Sequence, residues 1–188
     1  MEAKEVKKEI KKKIKNTQRV FFCPMCSTKF SYRHDGEKKR PICDHCQYIH
    51  YENPAVGVAA VVLDENNRIL LGLRNRGRKS GLWCIPCGYV DYEEDIYDAV
   101  VREFKEETNL DVEVERLLDV HSNFFYPDKH SVGIWFLARR IGGELQAKDD
   151  LDEVGYFPLN DLPDMAFEND LKIIEKIRSM LKDNNTGV

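Results

Sequence analysis

The sequence has no long apolar run and no apolar core of a signal peptide. No stretch of its 188 residues approaches the ~18–20 consecutive apolar residues of a membrane span. The first residues are rich in lysine, unlike a secretory leader. No internal repeat is present apart from three pairs of cysteines. We therefore expect a cytoplasmic protein that has no membrane partner.

Charge is unevenly distributed along the chain. The net charge is −4, but residues 1–50 hold 13 Lys/Arg against 6 Asp/Glu, and residues 51–188 hold 16 against 27. An acidic main portion argues against a nucleic-acid-binding body. The apolar fraction of 42% is enough to fill the core of one catalytic domain with a small appendage. Six cysteines in three C-x-x-C pairs, without a secretion signal, indicate a reducing compartment.

The segment Gly88–Leu110, GYVDYEEDIYDAVVREFKEETNL, has the most specific pattern. Glu103, Glu106 and Glu107 stand at i, i+3 and i+4, so on a helix their Cβ atoms lie about 5–6 Å apart on one face. Like charges at this spacing repel one another unless a cation is bound between them. Carboxylate oxygens suit Mg²⁺ or Mn²⁺. The alternative is a solvated acidic face on a surface helix.

The same segment resembles the Nudix box, G-x5-E-x7-R-E-U-x-E-E-x-G-U, in which U is a bulky apolar residue. The matching positions are Gly88, Glu94, Arg102, Glu103, Phe104, Glu106, Glu107 and Leu110. Asn109 stands where the family has its second glycine. That glycine ends the helix in a left-handed conformation, for which asparagine is the usual substitute. The departure therefore leaves the predicted chemistry intact.

The resemblance implies a fold, an activity and a set of site residues. The fold is an α/β fold, the Nudix α/β/α sandwich with a mixed sheet. The activity is hydrolysis of a nucleoside diphosphate linked to another moiety, with Mg²⁺ or Mn²⁺. The implied cation ligands are the Gly88 carbonyl, Glu103, Glu106 and Glu107. One of these glutamates, or a carboxylate on a later loop, would activate the attacking water, and Arg102 would brace the loop and helix through an ion pair with Glu94.

The first two cysteine pairs predict a small zinc β-ribbon ahead of the catalytic domain. Cys23-Pro-Met-Cys26 and Cys43-Asp-His-Cys46 enclose sixteen residues, a spacing typical of a four-thiolate structural zinc site. The turn-prone pair Asp35-Gly36 lies between two short strand-like runs, which predicts a hairpin. Disulfide pairing is the alternative, and the reducing compartment argues against it. Four thiolates leave no open position on zinc, so a catalytic role is not expected.

The third pair, Cys84 and Cys87, lies in a strand that leads into the box. The family usually has a glycine where Cys87 stands. Strand alternation would put the two thiols on opposite faces, which is a poor arrangement for a joint metal site. We interpret them as small buried residues in the wall of the active site, with a redox function as the alternative.

The chain divides into three predicted parts. Residues 1–20 form a Lys-rich helix or tail, residues 21–50 the ribbon, and residues 54–184 the hydrolase domain. Within the last part we expect strands at 56–63 and 69–73 paired as a hairpin, a helix from 94 or 95 to 108, strands at 112–123, 132–139 and 153–157, and a helix at 168–181. The inward face of the last helix is predicted to carry Leu171, Ile174, Ile177, Met180 and Leu181.

Substrate contacts are less specific in the sequence. Arg74 follows the second strand, where an arginine can bind phosphate oxygens in a bidentate way. The alternative for Arg74 is a solvated loop charge. Family members often have a functional acidic residue before an aromatic strand, and among Asp150, Asp152 and Glu153 we select Glu153.

A ribbon ahead of the box is similar to the NADH pyrophosphatases, but their Ser-Gln-Pro-Trp-Pro-Phe-Pro element is absent here. The short ribbon and Ala166-Phe167 look closer to the ADP-ribose pyrophosphatases, and Pro127 lies near a proline of those enzymes. Related plant proteins act on FAD. We expect a small nucleotide substrate, ADP-ribose before FAD or NADH, and a homodimer. The alternative is an RNA-binding ribbon with the box acting on RNA caps, which the lack of interleaved aromatic residues disfavours.

Overall fold

A computed structural model describes residues 21–126 and 129–185. The chain forms two compact units, one of Met1–Pro54 with Phe124–His130 and one of Ala55–Asn123 with Ser131–Val188. The predicted N-terminal helix or tail (1–20) and Pro127 lie outside the described residues. In the described ranges, no helix is long and apolar enough to cross a membrane.

The ribbon of the first unit is a two-stranded hairpin. Strand β1 (Phe30–His34) pairs antiparallel with β2 (Lys39–Cys43). The carboxylate of Asp35 accepts two backbone N–H groups of the turn at 2.9 Å and bonds the guanidinium of Arg40. Gly36 has φ +108°, a conformation that only glycine adopts without strain. The predicted hairpin and its turn are therefore present.

The described residues from Ala55 onward form two sheets and two helices, and the ends of two of the strands, within Phe124–His130, belong to the first unit. The strands are β3 (Ala55–Val62), β4 (Arg68–Arg74), β5 (Trp83–Cys84), β6 (Cys87–Tyr89), β7 (Leu110–Tyr126), β8 (Lys129–Gly143) and β9 (Leu151–Pro158). The helices are α1 (Ile96–Thr108) and α2 (Glu168–Asn185). One sheet has the order β6-β3-β8-β7, with β3 antiparallel to β6 and parallel to β8, and the other has the order β5-β4-β9. The first sheet is mixed, as predicted.

Alternation along the central strands directs side chains into two separate cores. Val58, Ala60 and Val62 of β3 pack in one cluster with Phe104 and other residues of α1. Their neighbours Ala59 and Val61 pack in a second cluster with Ile173, Ile174 and Ile177 of α2. Because successive strand residues point to opposite faces, the two helices cover opposite sides of the sheet layer. This is the predicted α/β/α sandwich.

Helix α1 begins and ends where the sequence predicts. Asp95 is its N-cap and accepts the N–H of Tyr97 at 2.8 Å. Asn109 follows the helix with φ 59° and ψ 10°, and its N–H donates to the carbonyl of Lys105 at 2.9 Å. Asn109 therefore adopts the left-handed conformation for which the box pattern has a glycine after the helix, as predicted.

Two local predictions were wrong. Strands β3 and β4 were expected to pair as a hairpin, but they share a single bridge, Leu63 to Ile69, and then enter different sheets. Leu171 of α2 was expected to face inward, but it is 46% exposed. The buried residues of α2 are Asn169, Asp170, Ile173, Ile174 and Ile177, so its first turn buries an amide and a carboxylate rather than an apolar side chain.

Candidate active site and zinc ribbon

Gly88 lies against the carboxylate of Glu103. An added Cβ at Gly88 would stand 1.9 Å from the carboxyl carbon of Glu103 and 2.0 Å from one of its oxygens. No side chain fits in this gap, so the box requires glycine here for close approach rather than for an unusual backbone angle. The backbone of β6 and the first glutamate of the acidic set are therefore packed directly together.

Arg102 bonds the acidic residues around it. Its guanidinium forms a bidentate pair with Glu94 at 2.6 and 2.7 Å, and Nη1 lies 3.0 Å from Glu103 and 3.1 Å from Glu106. It also donates to the carbonyl of Tyr89 at 3.2 Å. The hydrogen bond from Arg102 lowers the pKa of Glu94 below its usual value. Loop and helix are tied together through this one side chain.

Glu107 is a buried acid with only 1% of its surface exposed. Its Oε2 accepts the backbone N–H of Cys87 at 2.8 Å. Burial raises the pKa of Glu107 well above its usual value, and the neighbouring Cys87 and Asp150 add to the effect. Burial also raises the pKa of Glu103, with contributions from Glu106 and Asp149. A bound cation would relieve both penalties.

Asp150 belongs to the same group, although from the sequence we selected Glu153 instead. The side chain of Asp150 is 15% exposed, lies 3.5 Å from the guanidinium of Arg74, and is near enough to Glu107 to raise the pKa of that acid. Its Oδ1 is buried without a hydrogen-bond partner. Glu153, which we had selected, lies on β9 opposite Leu73 with an exposed side chain. Of Asp150, Asp152 and Glu153, Asp150 is therefore the acid that lies beside Arg74 and Glu107.

Arg74 is not the solvated loop charge of the alternative interpretation. Its side chain is 16% exposed, its guanidinium lies over the ring of Phe167 at 5.5 Å, and its Nη1 is 3.8 Å from the sulfur of Cys84. Its neighbour Arg76 is 64% exposed and bonds Asp149 at 3.1 Å. Of these two arginines, Arg76 is therefore the more exposed to solvent.

The donor set around Gly88 fits a hard divalent cation. It consists of carboxylates and a backbone carbonyl, and it includes a buried acid and a buried orphan oxygen on Asp150. The carboxylate oxygens of the three box glutamates do not meet at one point, because Arg102 forms ion pairs with Glu103 and Glu106. Among the described residues, the ribbon cysteines alone form a group of metal-binding side chains whose ligand atoms all lie within 4.8 Å of one another.

The thiols of Cys84 and Cys87 lie together, which corrects our expectation of opposite faces. The proximity of the Cys84 thiol, together with burial, raises the pKa of Cys87 well above its usual value. The expectation failed because Cys84 belongs to β5 and Cys87 to β6, so no regular strand joins them. Cys84 is fully buried and Cys87 is half-buried beside Glu107, in agreement with a wall of the site.

The four ribbon cysteines have the geometry of a zinc site. Sulfur–sulfur distances are 3.6 Å for Cys23–Cys46, 3.5 Å for Cys26–Cys43 and 3.6 Å for Cys26–Cys46, and all four thiols are free. A tetrahedral zinc with bonds of ~2.3 Å holds its sulfurs roughly 3.8 Å apart. The cluster therefore fits a closed structural zinc site rather than two disulfides.

Both knuckles of the ribbon turn in the same way. The N–H of Ser27 donates to the carbonyl of Cys23 at 2.8 Å, and that of Gln47 to the carbonyl of Cys43 at 2.9 Å. Ser27 and Gln47 have φ of 58° and 62°. Each C-x-x-C pair is thus closed by a left-handed residue that directs both of its sulfurs to one point.

Comparison with known proteins agrees with this geometry. Residues 53–177 match the NUDIX domain family, and residues 22–52 match the Nudix N-terminal zinc ribbon family. The chain belongs to the Nudix family. It is therefore a Nudix pyrophosphohydrolase with a divalent-metal requirement and a nucleotide-derived substrate, and the predicted fold and ribbon are confirmed.

Individual relatives match most of the chain. An ADP-ribose pyrophosphatase of Methanocaldococcus jannaschii is 41% identical over 142 residues, which is 73% of this chain and 79% of the relative. The NAD-capped RNA hydrolase NudC of Vibrio atlanticus is 31% identical over 80% of this chain, which spans 54% of NudC's own length. A NUDIX hydrolase structure from Nitrosomonas europaea has a TM-score of 0.76 and 27% identity, covering 89% of this chain and 94% of that one.

Proposed function

We propose that this enzyme hydrolyses ADP-ribose to AMP and ribose 5-phosphate. The observation that carries the proposal is the 41% identity to the M. jannaschii ADP-ribose pyrophosphatase, which covers 79% of that protein. Identity at this level over a nearly whole relative supports a shared substrate class as well as a shared reaction. FAD and NADH have the same adenosine diphosphate portion and are the next candidates.

The catalytic cation in this proposal is Mg²⁺ or Mn²⁺, held by Glu103, Glu106, Glu107 and the Gly88 carbonyl. When bound, such an ion neutralises phosphate oxygens and lowers the pKa of a coordinated water. Glu107 contributes a buried charge whose orientation is fixed by the Cys87 N–H. Glu106, which is 51% exposed, is the most accessible of the three to substrate and water, and we assign it the role of orienting or deprotonating the nucleophile.

The remaining residues hold this set in place. Arg102 and Glu94 brace the loop against α1 through their bidentate pair. Arg74 compensates the charge of Asp150, which lies near Glu107 and raises its pKa. Because the side chain of Arg74 is partly exposed, Arg74 is also a candidate phosphate ligand. Glu153, whose side chain is exposed on β9, is a candidate substrate contact. Positioning and charge compensation account for most of the catalysis in phosphoryl transfer, so these roles affect turnover directly.

The test is AMP release by the purified full chain from a panel of ADP-ribose, FAD, NADH and diadenosine polyphosphates, with Mg²⁺ or Mn²⁺ and with neither. We expect the highest kcat/KM on ADP-ribose and no turnover without metal. A higher kcat/KM on any other compound of the panel would reject the substrate assignment, and no turnover of any compound would reject the proposal as a whole.

A second candidate substrate is the NAD cap of RNA. The 31% identity to Vibrio NudC over 80% of this chain favours it. Because this chain spans only 54% of NudC, the shared portion lacks much of that protein. Release of a 5′-monophosphate RNA from NAD-capped RNA, compared with ADP-ribose at equal concentration, distinguishes the two candidates.

We further propose that the ribbon (21–50) and the hydrolase domain (54–184) are separate modules of a cytoplasmic homodimer, with zinc serving stability in the ribbon. The ribbon has few buried apolar residues, so metal binding must supply much of its folding free energy. Analytical ultracentrifugation and zinc analysis of the full chain test the dimer and the metal.

A further inference from the structure

Asp170 is an unusual member of a buried stripe. Helix α2 buries two polar residues in its first turn, Asn169 and Asp170, and then Ile173, Ile174 and Ile177. Asp170 is 2% exposed. Burial raises its pKa to about 7, although two hydrogen bonds act in the opposite direction. Burying a carboxylate is unfavourable unless it is hydrogen-bonded, so the hydrogen-bond partners of Asp170 explain why it is tolerated at this position.

Each oxygen of Asp170 accepts one hydrogen bond. Oδ2 accepts the backbone N–H of Ile85 at 3.1 Å, and Oδ1 accepts the indole N–H of Trp135 at 3.2 Å. Ile85 lies between β5 and β6, two residues before Cys87 and three before Gly88. The carboxylate of Asp170 therefore holds the backbone two residues ahead of β6, the strand that contains Gly88.

The segment 85–88 is held by one carboxylate from each helix. On one side Glu107 of α1 accepts the N–H of Cys87, and on the other Asp170 of α2 accepts the N–H of Ile85. Between them, the carbonyl of Pro86 accepts the N–H of Ala60 at 3.3 Å. A shift of Ile85 would therefore move both the N–H that orients Glu107 and the backbone of Gly88.

We propose that Asp170 is a positioning residue for catalysis: it fixes the 85–88 segment so that Glu107 and the Gly88 carbonyl are presented to the catalytic cation. This role rests on the metal-dependent hydrolysis proposed above. Among the described residues, Asp170 hydrogen-bonds Ile85 and Trp135 and none of the box glutamates. It acts through the backbone of Ile85, and Trp135 fixes the orientation of its carboxylate.

The chemistry requires two acceptors at position 170. Asparagine has one acceptor oxygen and one NH₂ group, so in Asp170→Asn one of the two N–H donors faces another donor. Replacing Trp135 by phenylalanine removes one of the donors. In the double variant D170N/W135F the amide oxygen can accept from Ile85 while the NH₂ group faces no competing N–H.

The experiment compares the full-length wild type, D170N, W135F and D170N/W135F. We expect D170N to lower kcat on ADP-ribose 10- to 100-fold with KM changed less than threefold, and to weaken Mn²⁺ binding measured by electron paramagnetic resonance about tenfold. W135F in the D170N background should recover at least fivefold in kcat and in Mn²⁺ affinity. Ile174→Val is the matched control, because it loosens the same stripe without changing a hydrogen bond, and its kcat should stay within twofold.

Two results would overturn the proposal. One is a folded D170N with wild-type kcat and Mn²⁺ affinity, and the other is a double variant no better than D170N in either quantity. If D170N does not fold, Asp170→Glu is measured instead: its extra methylene keeps both acceptors but displaces the 85–88 segment, so unchanged kcat and Mn²⁺ affinity would be equally decisive. A wild type that hydrolyses nothing while binding Mn²⁺ would contradict the proposed function and leave the effect of D170N on Mn²⁺ binding as the test of positioning.

Discussion

Replacement of Gly88 by alanine is the sharpest test of how the box works. The added methyl group would stand 1.9 Å from the carboxyl carbon of Glu103, whereas ordinary contact begins at 3.4 Å. The carboxyl group or the β6 backbone must therefore move by roughly 1.5 Å, and a misplacement of about 1 Å in a catalytic constellation costs on the order of 10²-fold in rate. We expect kcat/KM to fall about 100- to 1,000-fold, or roughly 3–4 kcal/mol.

Stability should respond much less than activity. The clash is with the flexible end of a side chain, and alanine loses less backbone entropy on folding than glycine does, so the free energy of unfolding should change by no more than about 1 kcal/mol. The assays are AMP release with Mg²⁺ and urea denaturation of the same preparations. This combination separates a local rearrangement from a general loss of folding.

Gly155→Ala is the matched control. Its Cβ would meet Phe157 at 3.5 Å, which is ordinary contact, and Gly155 also lies in a strand. We expect its kcat/KM to stay within about twofold of wild type. A Gly88→Ala enzyme within fivefold of wild type would refute the idea that close packing of β6 on Glu103 sets the geometry of the site.

Three further perturbations have defined outcomes. Glu106→Gln and Glu107→Gln should each lower kcat several hundred-fold, about 4 kcal/mol, and Glu107→Gln should melt no lower than wild type in metal-free buffer, because its buried charge is penalised; near-normal turnover in both, or a lower Tm for Glu107→Gln, would contradict the assignment. Cys43→Ser removes one of four sulfurs and should release the ribbon zinc and expose the ribbon to proteolysis, as measured by zinc analysis and limited trypsin digestion; full zinc retention would exclude four-thiolate binding. The folded pKa of Asp170 (about 7) lies above its ordinary 3.8, so the unfolded chain holds fewer protons and wild-type stability should fall as pH rises from 4 to 7; urea denaturation of D170N should show a smaller fall, and equal slopes would argue against a raised pKa.

Local pattern was enough to predict the box helix and the ribbon. The spacing of Glu103, Glu106 and Glu107 depends only on helix geometry, and the cysteine spacing depends only on two tight turns. The helix end at Asn109 was likewise predictable, because a left-handed residue after a helix has few alternatives. These features need no knowledge of how distant segments meet.

Features created by tertiary packing were not predictable in this way. Asp150 joins the site because β9 pairs with β4 and brings it to Arg74, and neighbouring acids in the sequence looked equally suitable. Asp170 is buried because two N–H donors from other segments meet it, whereas its neighbour Leu171 had the more obvious apolar character. The contact of Cys84 and Cys87 depends on a break between two short strands that strand alternation alone does not show.

The parallel pairing of β3 with β8 has a consequence for synthesis of the chain. Ala55 is in register with Ser131, so the central strand must wait for a partner 76 positions later in translation. Contacts of such long separation form late, since closing the intervening loop costs entropy before any pairing is gained. When only the residues up to the end of α1 have left the ribosome, the apolar strand β3 still lacks its partner β8. We expect the nascent chain to need protection from aggregation until β8 has emerged.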